Sequence, residues 1–308
     1  MERHVAVKAI TEKIELPVIV APMFRVSTPE LVIEACRNGV IGSFPSQNCR
    51  TLADLDDWLR KISETLKSSP IPYAINLVMR SERLMQDLEL VVRYRTPIVI
   101  SSVGSPEPII APVHAYGGRV LADVATLKHA KKALELGVDG LILLCSGAGG
   151  NGGWNNPFAF VRAVREFYDG LIVVAGSITD GRSIRAAEVL GADLAYMGTR
   201  FIATRESDAS DEYKQMLLKS TLDDVITTAA FSGMKANFLR QSIIRAGLNP
   251  EDLPDYETFQ SSSHRKKRWK TIWSAGQGVT SIKKIETVRQ VIERLKTEYA
   301  EHSSEDGR

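Results

Sequence analysis

At 308 residues, with 44% hydrophobic and 25% charged side chains, the chain has the balance of a globular protein with a large core, not of a disordered or membrane-embedded one. A net charge of +2 argues against general nucleic-acid affinity, and the three cysteines, Cys36, Cys49 and Cys145, lack the spacing of a disulfide framework or a zinc site. Residues 1–15 are charged throughout and no stretch reaches the length of a membrane span, so a cytoplasmic protein is expected.

From residue 17 almost to residue 205, short apolar runs alternate with amphipathic runs of helix length. The strand candidates are Val18–Pro22, Val40–Ser43, Tyr73–Leu77, Ile98–Ser101, Arg119–Asp123, Gly140–Cys145, Leu171–Ala175 and Leu194–Gly198. Their β-branched, nearly unbroken apolar character suits parallel strands covered by helices. Thr126 can cap a helix that Gly137 stops, and Asp180 and Gly191 bracket another. Eight such units without a dinucleotide fingerprint predict an α/β fold, an eight-fold β/α (TIM) barrel over residues 1–205. Residues 206–263 read as polar and helical without strands, a small helical insertion after the eighth strand. Residues 264–308 return through the basic run His264–Lys270 and the segment Ile272–Gly278 to a final helix, Ile282 to about Tyr299, with Ile285, Val288, Val291, Ile292 and Leu295 on one face.

Barrel sites are built at the carboxyl ends of the strands. The seventh candidate ends in Gly176-Ser177 and the eighth in Gly198-Thr199, two turns whose backbone N–H groups suit a phosphate. Pro22 and Met23 follow the first candidate and can pack flat on a ring, while Asn76 in the third offers an amide. After the sixth comes Gly147–Trp154, with five glycines in eight residues, read as a wall for a planar ligand in preference to a flexible lid. Trp154 is expected to cover the pocket.

These residues resemble the nitronate monooxygenase family, formerly called 2-nitropropane dioxygenases, and related FMN-dependent quinone and enoyl reductases. The most specific pieces are Thr179-Asp180-Gly181-Arg182 with Leu190-Gly191-Ala192-Asp193, Met197-Gly198-Thr199-Arg200-Phe201 with Ala203-Thr204-Arg205-Glu206, and Ile272-Trp273-Ser274-Ala275-Gly276-Gln277. The resemblance implies an FMN-dependent oxidoreductase that oxidises a nitronate or similar carbanion and passes electrons to oxygen. Gly176, Ser177, Gly198 and Thr199 would hold the FMN phosphate, and Pro22, Met23 and Asn76 would line the isoalloxazine. Gly149 and Gly150 would wall the pocket, with Ser274 and Gln277 closing it.

One departure matters. The family's glycine-rich loop carries a histidine where this chain has Asn151, and an amide cannot exchange a proton near neutral pH. Asn151 is therefore read as a substrate anchor, and the protein is expected to be inactive on neutral nitroalkanes and to act on a preformed anion or on an acceptor reduced through the flavin. Asp123, where some relatives carry a lysine, is a candidate base, with orienting water or capping the following helix as its other readings; Ser274 is the third catalytic candidate. A small-molecule substrate is expected as partner, with a reduced nicotinamide and a second copy of the chain as candidates, and neither nucleic acid nor membrane. Two alternatives stand beside this reading: an FMN-dependent reductase delivering hydride from a nicotinamide to a quinone or enoyl group, and a non-redox barrel binding a phosphorylated metabolite. The run His264–Lys270 is read as a solvated face, with a reach over the pocket as the alternative.

Overall fold

Unbroken apolar runs are stable only where both faces of a strand are covered, and the chain uses them that way. In the computed structural model, which describes residues 10–267 and 269–303, eight parallel strands form one sheet. They are β1 (Val18–Val20), β2 (Ser43–Pro45), β3 (Ala74–Val78), β4 (Ile98–Ser102), β5 (Arg119–Val124), β6 (Gly140–Leu144), β8 (Leu171–Ala175) and β9 (Leu194–Met197), in the order β1-β9-β8-β6-β5-β4-β3-β2. The short strand β7 (Gly150–Asn151) belongs to a second sheet. Ile19 bridges Ile41, with the Val20 N–H donating to the Ile41 carbonyl at 2.8 Å and the Ile41 N–H to the Val18 carbonyl at 3.0 Å, which closes the barrel. That closure displaces the second strand from the expected Val40–Ser43: Ile41 serves the bridge to β1, and pairing with β3 starts only at Ser43.

Alternation along the strands sorts the core. Val18, Val20, Ala195 and Met197 pack outward with Leu31, Ile184, Val288 and Val291 of the covering helices, so Ile19 and Tyr196 between them face the barrel interior. Helix ends follow the sequence signals: the Thr126 side chain accepts from the His129 N–H at 3.1 Å, and Asp180 from the Ser183 N–H at 2.7 Å. The final helix begins later than expected, at Val288, because Gln277–Ser281 forms a 3-10 turn and Glu286 bridges to Thr204. Among the described residues no helix is long and apolar enough to cross a membrane.

The segment after β9 corrects the expectation of a purely helical insertion. It holds helices Asp211–Lys219, Arg240–Arg245 and Tyr256–Ser261, but also an antiparallel hairpin, β10 (Val225–Thr228) and β11 (Ala236–Leu239). Each strand is only four residues long, and the third strand of their sheet is β7 from the glycine-rich loop, a partner that no local pattern announces. The hairpin covers its own core of Phe231, Phe238, Phe259 and Ile272.

Behind the β9 turn, Arg200 is only 2% exposed and its guanidinium pairs with Glu286, which also meets Arg294 at 2.9 Å and Lys284 at 3.2 Å. This staple ties the turn to the return segment. Glu286→Ala leaves the Arg200 charge buried without its partner and should cost about 3–5 kcal/mol in urea unfolding. An unchanged unfolding midpoint would mean that water reaches Arg200 freely.

Candidate functional site

The carboxyl ends of the barrel strands open into a cavity of about 900 Å³, within the usual range for small-molecule sites. Pro22 and Met23 line it beyond β1, in a turn that Asn48 holds by donating to the Met23 carbonyl at 3.1 Å and the Ser27 carbonyl at 2.8 Å. Next to them in the barrel, the turns after β8 and β9 contribute Gly176, Ser177, Gly198 and Thr199. Gly176 has φ +129°, and a Cβ there would lie 2.7 Å from the Ser146 carbonyl oxygen, so the turn requires glycine. Ser177 is held at φ 58°, a left-handed conformation that costs a non-glycine residue energy and tends to mark functional turns. Among the described residues, the N–H groups of these four residues donate to no protein acceptor. Four free amides in two adjacent turns make a cradle for an anion.

The glycine-rich loop is a wall. Gly150 pairs with Asn237 and Asn151 with Ala236, while the Asn237 amide donates to the Ala148 carbonyl at 2.7 Å. Gly149, Gly150 and Asn151 all line the cavity, as does Ser274 from the return segment. The Ser274 carbonyl accepts from the Tyr213 hydroxyl, and Tyr213 stacks on Trp273 with centroids 4.9 Å apart. Gln277 does not line the cavity; its backbone N–H donates to the Gly147 carbonyl at 2.9 Å, so it fastens the rim through its backbone. Trp154 corrects an expectation: it is 62% exposed and outside the cavity. The cause is Gly153, pressed so close to the end of β6 that a Cβ would meet the Leu144 carbonyl at 2.0 Å, which turns the next side chain outward. Of the basic run, Trp269 lines the cavity, Lys267 donates to the Ala246 carbonyl at 2.7 Å, and Arg268 lies outside the described residues. Tyr213, Trp269 and Trp273 were not singled out as wall residues from sequence; Trp273 had a signal in its position beside Ser274.

Three polar side chains face the interior below the mouth. Asn76 donates to the Ile100 carbonyl at 3.2 Å and the Ser102 hydroxyl at 3.0 Å, and its oxygen, which accepts from the Ser102 hydroxyl at 3.4 Å, keeps a second lone pair for a ligand. Asp123 and Tyr196 line the same cavity, and each has a buried oxygen without a hydrogen-bond partner. Burial alone pushes the Asp123 carboxyl up to about 7. Burial, and then the charge of Asp123, push the Tyr196 phenol well above its ordinary range. The partial accessibility of Asp123 is reconciled with this because the surface it retains faces the cavity. The cavity thus holds a carboxyl raised toward neutrality and a phenol held protonated. Cys145 is buried and its thiol is raised to about 12, which removes it as a nucleophile. Among the described residues no cluster of His, Cys, Asp and Glu could hold a metal ion.

A family model described as nitronate monooxygenase matches residues 50–298. The chain is 26% identical to a probable nitronate monooxygenase of Staphylococcus aureus strain Newman, over 82% of this chain and 84% of that one. It is 28% identical to the (3aS,4S,5R,7aS)-5-hydroxy-7a-methyl-1-oxo-octahydro-1H-indene-4-carboxyl-CoA dehydrogenase of Rhodococcus jostii strain RHA1, over 77% of this chain and 67% of that one. Among solved structures, FabK from Thermotoga maritima superposes with a TM-score of 0.82 at 27% identity, covering 97% of both chains.

The elevated Asp123 carboxyl has a thermodynamic signature. An unfolded aspartate ionises near 3.8 and the folded one near 7, so the stability that protonated Asp123 allows is complete below about pH 4 and is lost as pH rises toward 7. Asp123→Asn, which cannot ionise, should therefore raise the melting temperature more at about pH 8 than at about pH 5. Equal shifts at both values would show that the carboxyl is solvated.

Proposed function

Because the chain belongs to the nitronate monooxygenase family of oxidoreductases, we propose that it binds FMN and oxidises a stabilised carbanion, a nitronate or an enolate of similar charge, with oxygen as the electron acceptor. The observation that carries this reading is the pair of turns at β8 and β9, whose four unpartnered N–H groups fit the FMN phosphate. Pro22 and Met23 give the ring an apolar support and the Asn76 oxygen gives it an acceptor, with Gly149 and Gly150 as the opposite wall. FMN, when bound, supplies the two-electron chemistry; the protein's residues hold the substrate and move its proton. Asn151 offers hydrogen bonds to an anionic substrate, with Ser274 of the return segment beside the same loop, its Oγ 3.9 Å from where a Gly150 Cβ would stand. Asp123 exchanges the proton that Asn151 cannot, which changes the expectation for neutral carbon acids.

A second reading is favoured by Asn151 itself. Transfer of hydride from a reduced nicotinamide to a quinone or an activated alkene needs no base in the loop. Anaerobic stopped-flow reduction of the flavin, tried separately with a nicotinamide and with a nitronate, distinguishes the two.

The protein should purify yellow or take up added FMN. A Cβ at Gly198 would have Ala21 Cβ and Met23 Sδ as its nearest neighbours, both at 3.5 Å, which is ordinary contact, so the fold accepts a side chain there while the phosphate does not. Gly198→Val should abolish FMN binding and leave the melting temperature nearly unchanged; tight binding by that variant would place the cradle elsewhere. Oxidation of neutral nitroethane should rise with pH through an inflection near 7 and vanish in Asp123→Asn, while oxidation of preformed ethylnitronate survives. Asn151→Ala should weaken transition-state stabilisation by about 1–3 kcal/mol for both substrates. Nitroethane turnover undiminished in Asp123→Asn would assign the proton to another group.

A further inference from the structure

The cavity does not end at the barrel. On the side of β4 and β5 it runs outward between the loop Ser102–Pro106 and the helix Leu127–Glu135, where His129, Lys132, Ala133 and Leu136 line it. These positions lie on one helical stripe, so the wall is a helix face. The helices Glu107–Ala115 and Leu127–Glu135 are in sparser contact than the next pair round the barrel, Leu127–Glu135 with Pro157–Arg165, which leaves room for the arm.

The arm is basic. Among the described residues its ionisable lining residues are Arg80, His129 and Lys132, and the carboxylate that lines the cavity, Asp123, is inside the barrel. Among the described residues none of the three basic side chains forms an ion pair or a side-chain hydrogen bond. The loop adds donors. Val103 stands at φ 54°, a costly conformation for a β-branched residue, and Gly104 at φ +149°. The N–H groups of Val103, Gly104 and Ser105 meet no protein acceptor among the described residues, and successive N–H groups in such a turn form a concave anion nest. A Cβ at Gly104 would lie 2.7 Å from Met79 Cβ and 3.7 Å from Arg80 Cγ, so the nest is pressed against Met79 with the stem of Arg80 beside it.

Uncompensated cations beside free amides are the chemistry that recognises phosphate. We propose that this arm binds the phosphorylated adenosine tail of an extended substrate or co-substrate, the chemistry shared by CoA thioesters and nicotinamide dinucleotides, whose reactive end enters the barrel. The reactive end rests on the oxidoreductase reading above; the tail site stands on the arm alone.

The test is calorimetric titration of the FMN-supplemented protein with two matched pairs, CoA against pantetheine and NADP⁺ against nicotinamide mononucleotide. In one pair the tail-bearing member should bind at least about tenfold more tightly than its tail-less partner, with an affinity that falls as salt is added. The double variant Arg80→Ala with Lys132→Ala, both exposed side chains, should erase that difference while flavin content and melting temperature hold. A CoA preference assigns a thioester and an NADP⁺ preference a nicotinamide; no preference in either pair, or one that the double variant retains, overturns the proposal. The heat of tail binding is read with or without flavin, so failure to bind FMN would sink the proposed activity and leave this result legible.

Discussion

Three stretches of backbone meet at the barrel mouth with no room for side chains between them. A Cβ on Gly147 would lie 2.2 Å from Ser177 Oγ, one on Gly149 2.9 Å from the Gly276 nitrogen, and one on Gly276 2.6 Å from the Gly147 carbonyl oxygen. The loop after β6, the turn after β8 and the return segment therefore sit at backbone contact distance. Hydrogen bonds fasten them: the Gly276 N–H donates to Thr199 Oγ1 at 2.8 Å, and the Gln277 N–H to the Gly147 carbonyl at 2.9 Å. Wall, cradle and rim are in consequence one structure, and a methyl group at any of these glycines would part the wall from the cradle. The second sheet exists to the same end, since β7 gives the loop a strand partner and takes away the freedom that its glycines would otherwise confer.

Charge is distributed so that the site meets different groups by different physics. The β8 and β9 turns present amides and no Lys or Arg side chain to the cavity; the buried Arg200 behind them is engaged with Glu286. An anion there is held by fixed dipoles in a partly desolvated turn, where salt has little effect. Arg80 and Lys132, on the β3 and β5 side, are exposed, and attraction to them is long-ranged and screened. Between the two, Asp123 and Tyr196 are the titratable groups of the barrel interior, and burial sets Asp123 close to the pH at which a base is useful.

The barrel was legible because its signal is local. Each apolar run of strand length, each Thr126 or Asp180 cap and each Gly191 stop states its own role, and eight repetitions leave few alternatives. The two small-residue turns at the cavity were legible for the same reason, since Gly176-Ser177 and Gly198-Thr199 stand at fixed places in the repeat. Ser274 could be placed at the pocket only through likeness to a family, because nothing within its own segment says which part of the barrel it returns to.

What the sequence determined by itself was the number and order of the β/α units and the small-residue turns at their ends, all properties of neighbouring residues. Tertiary structure alone decided the rest. It made a four-residue hairpin stable by supplying β7 as a partner, turned Trp154 away from the pocket through the close packing of Gly153, and brought Asp123 and Tyr196 from strands that are not neighbours into one cavity. Pairing, burial and the pKa of a carboxyl depend on groups distant in the chain, and no local pattern encodes the dielectric that those groups create.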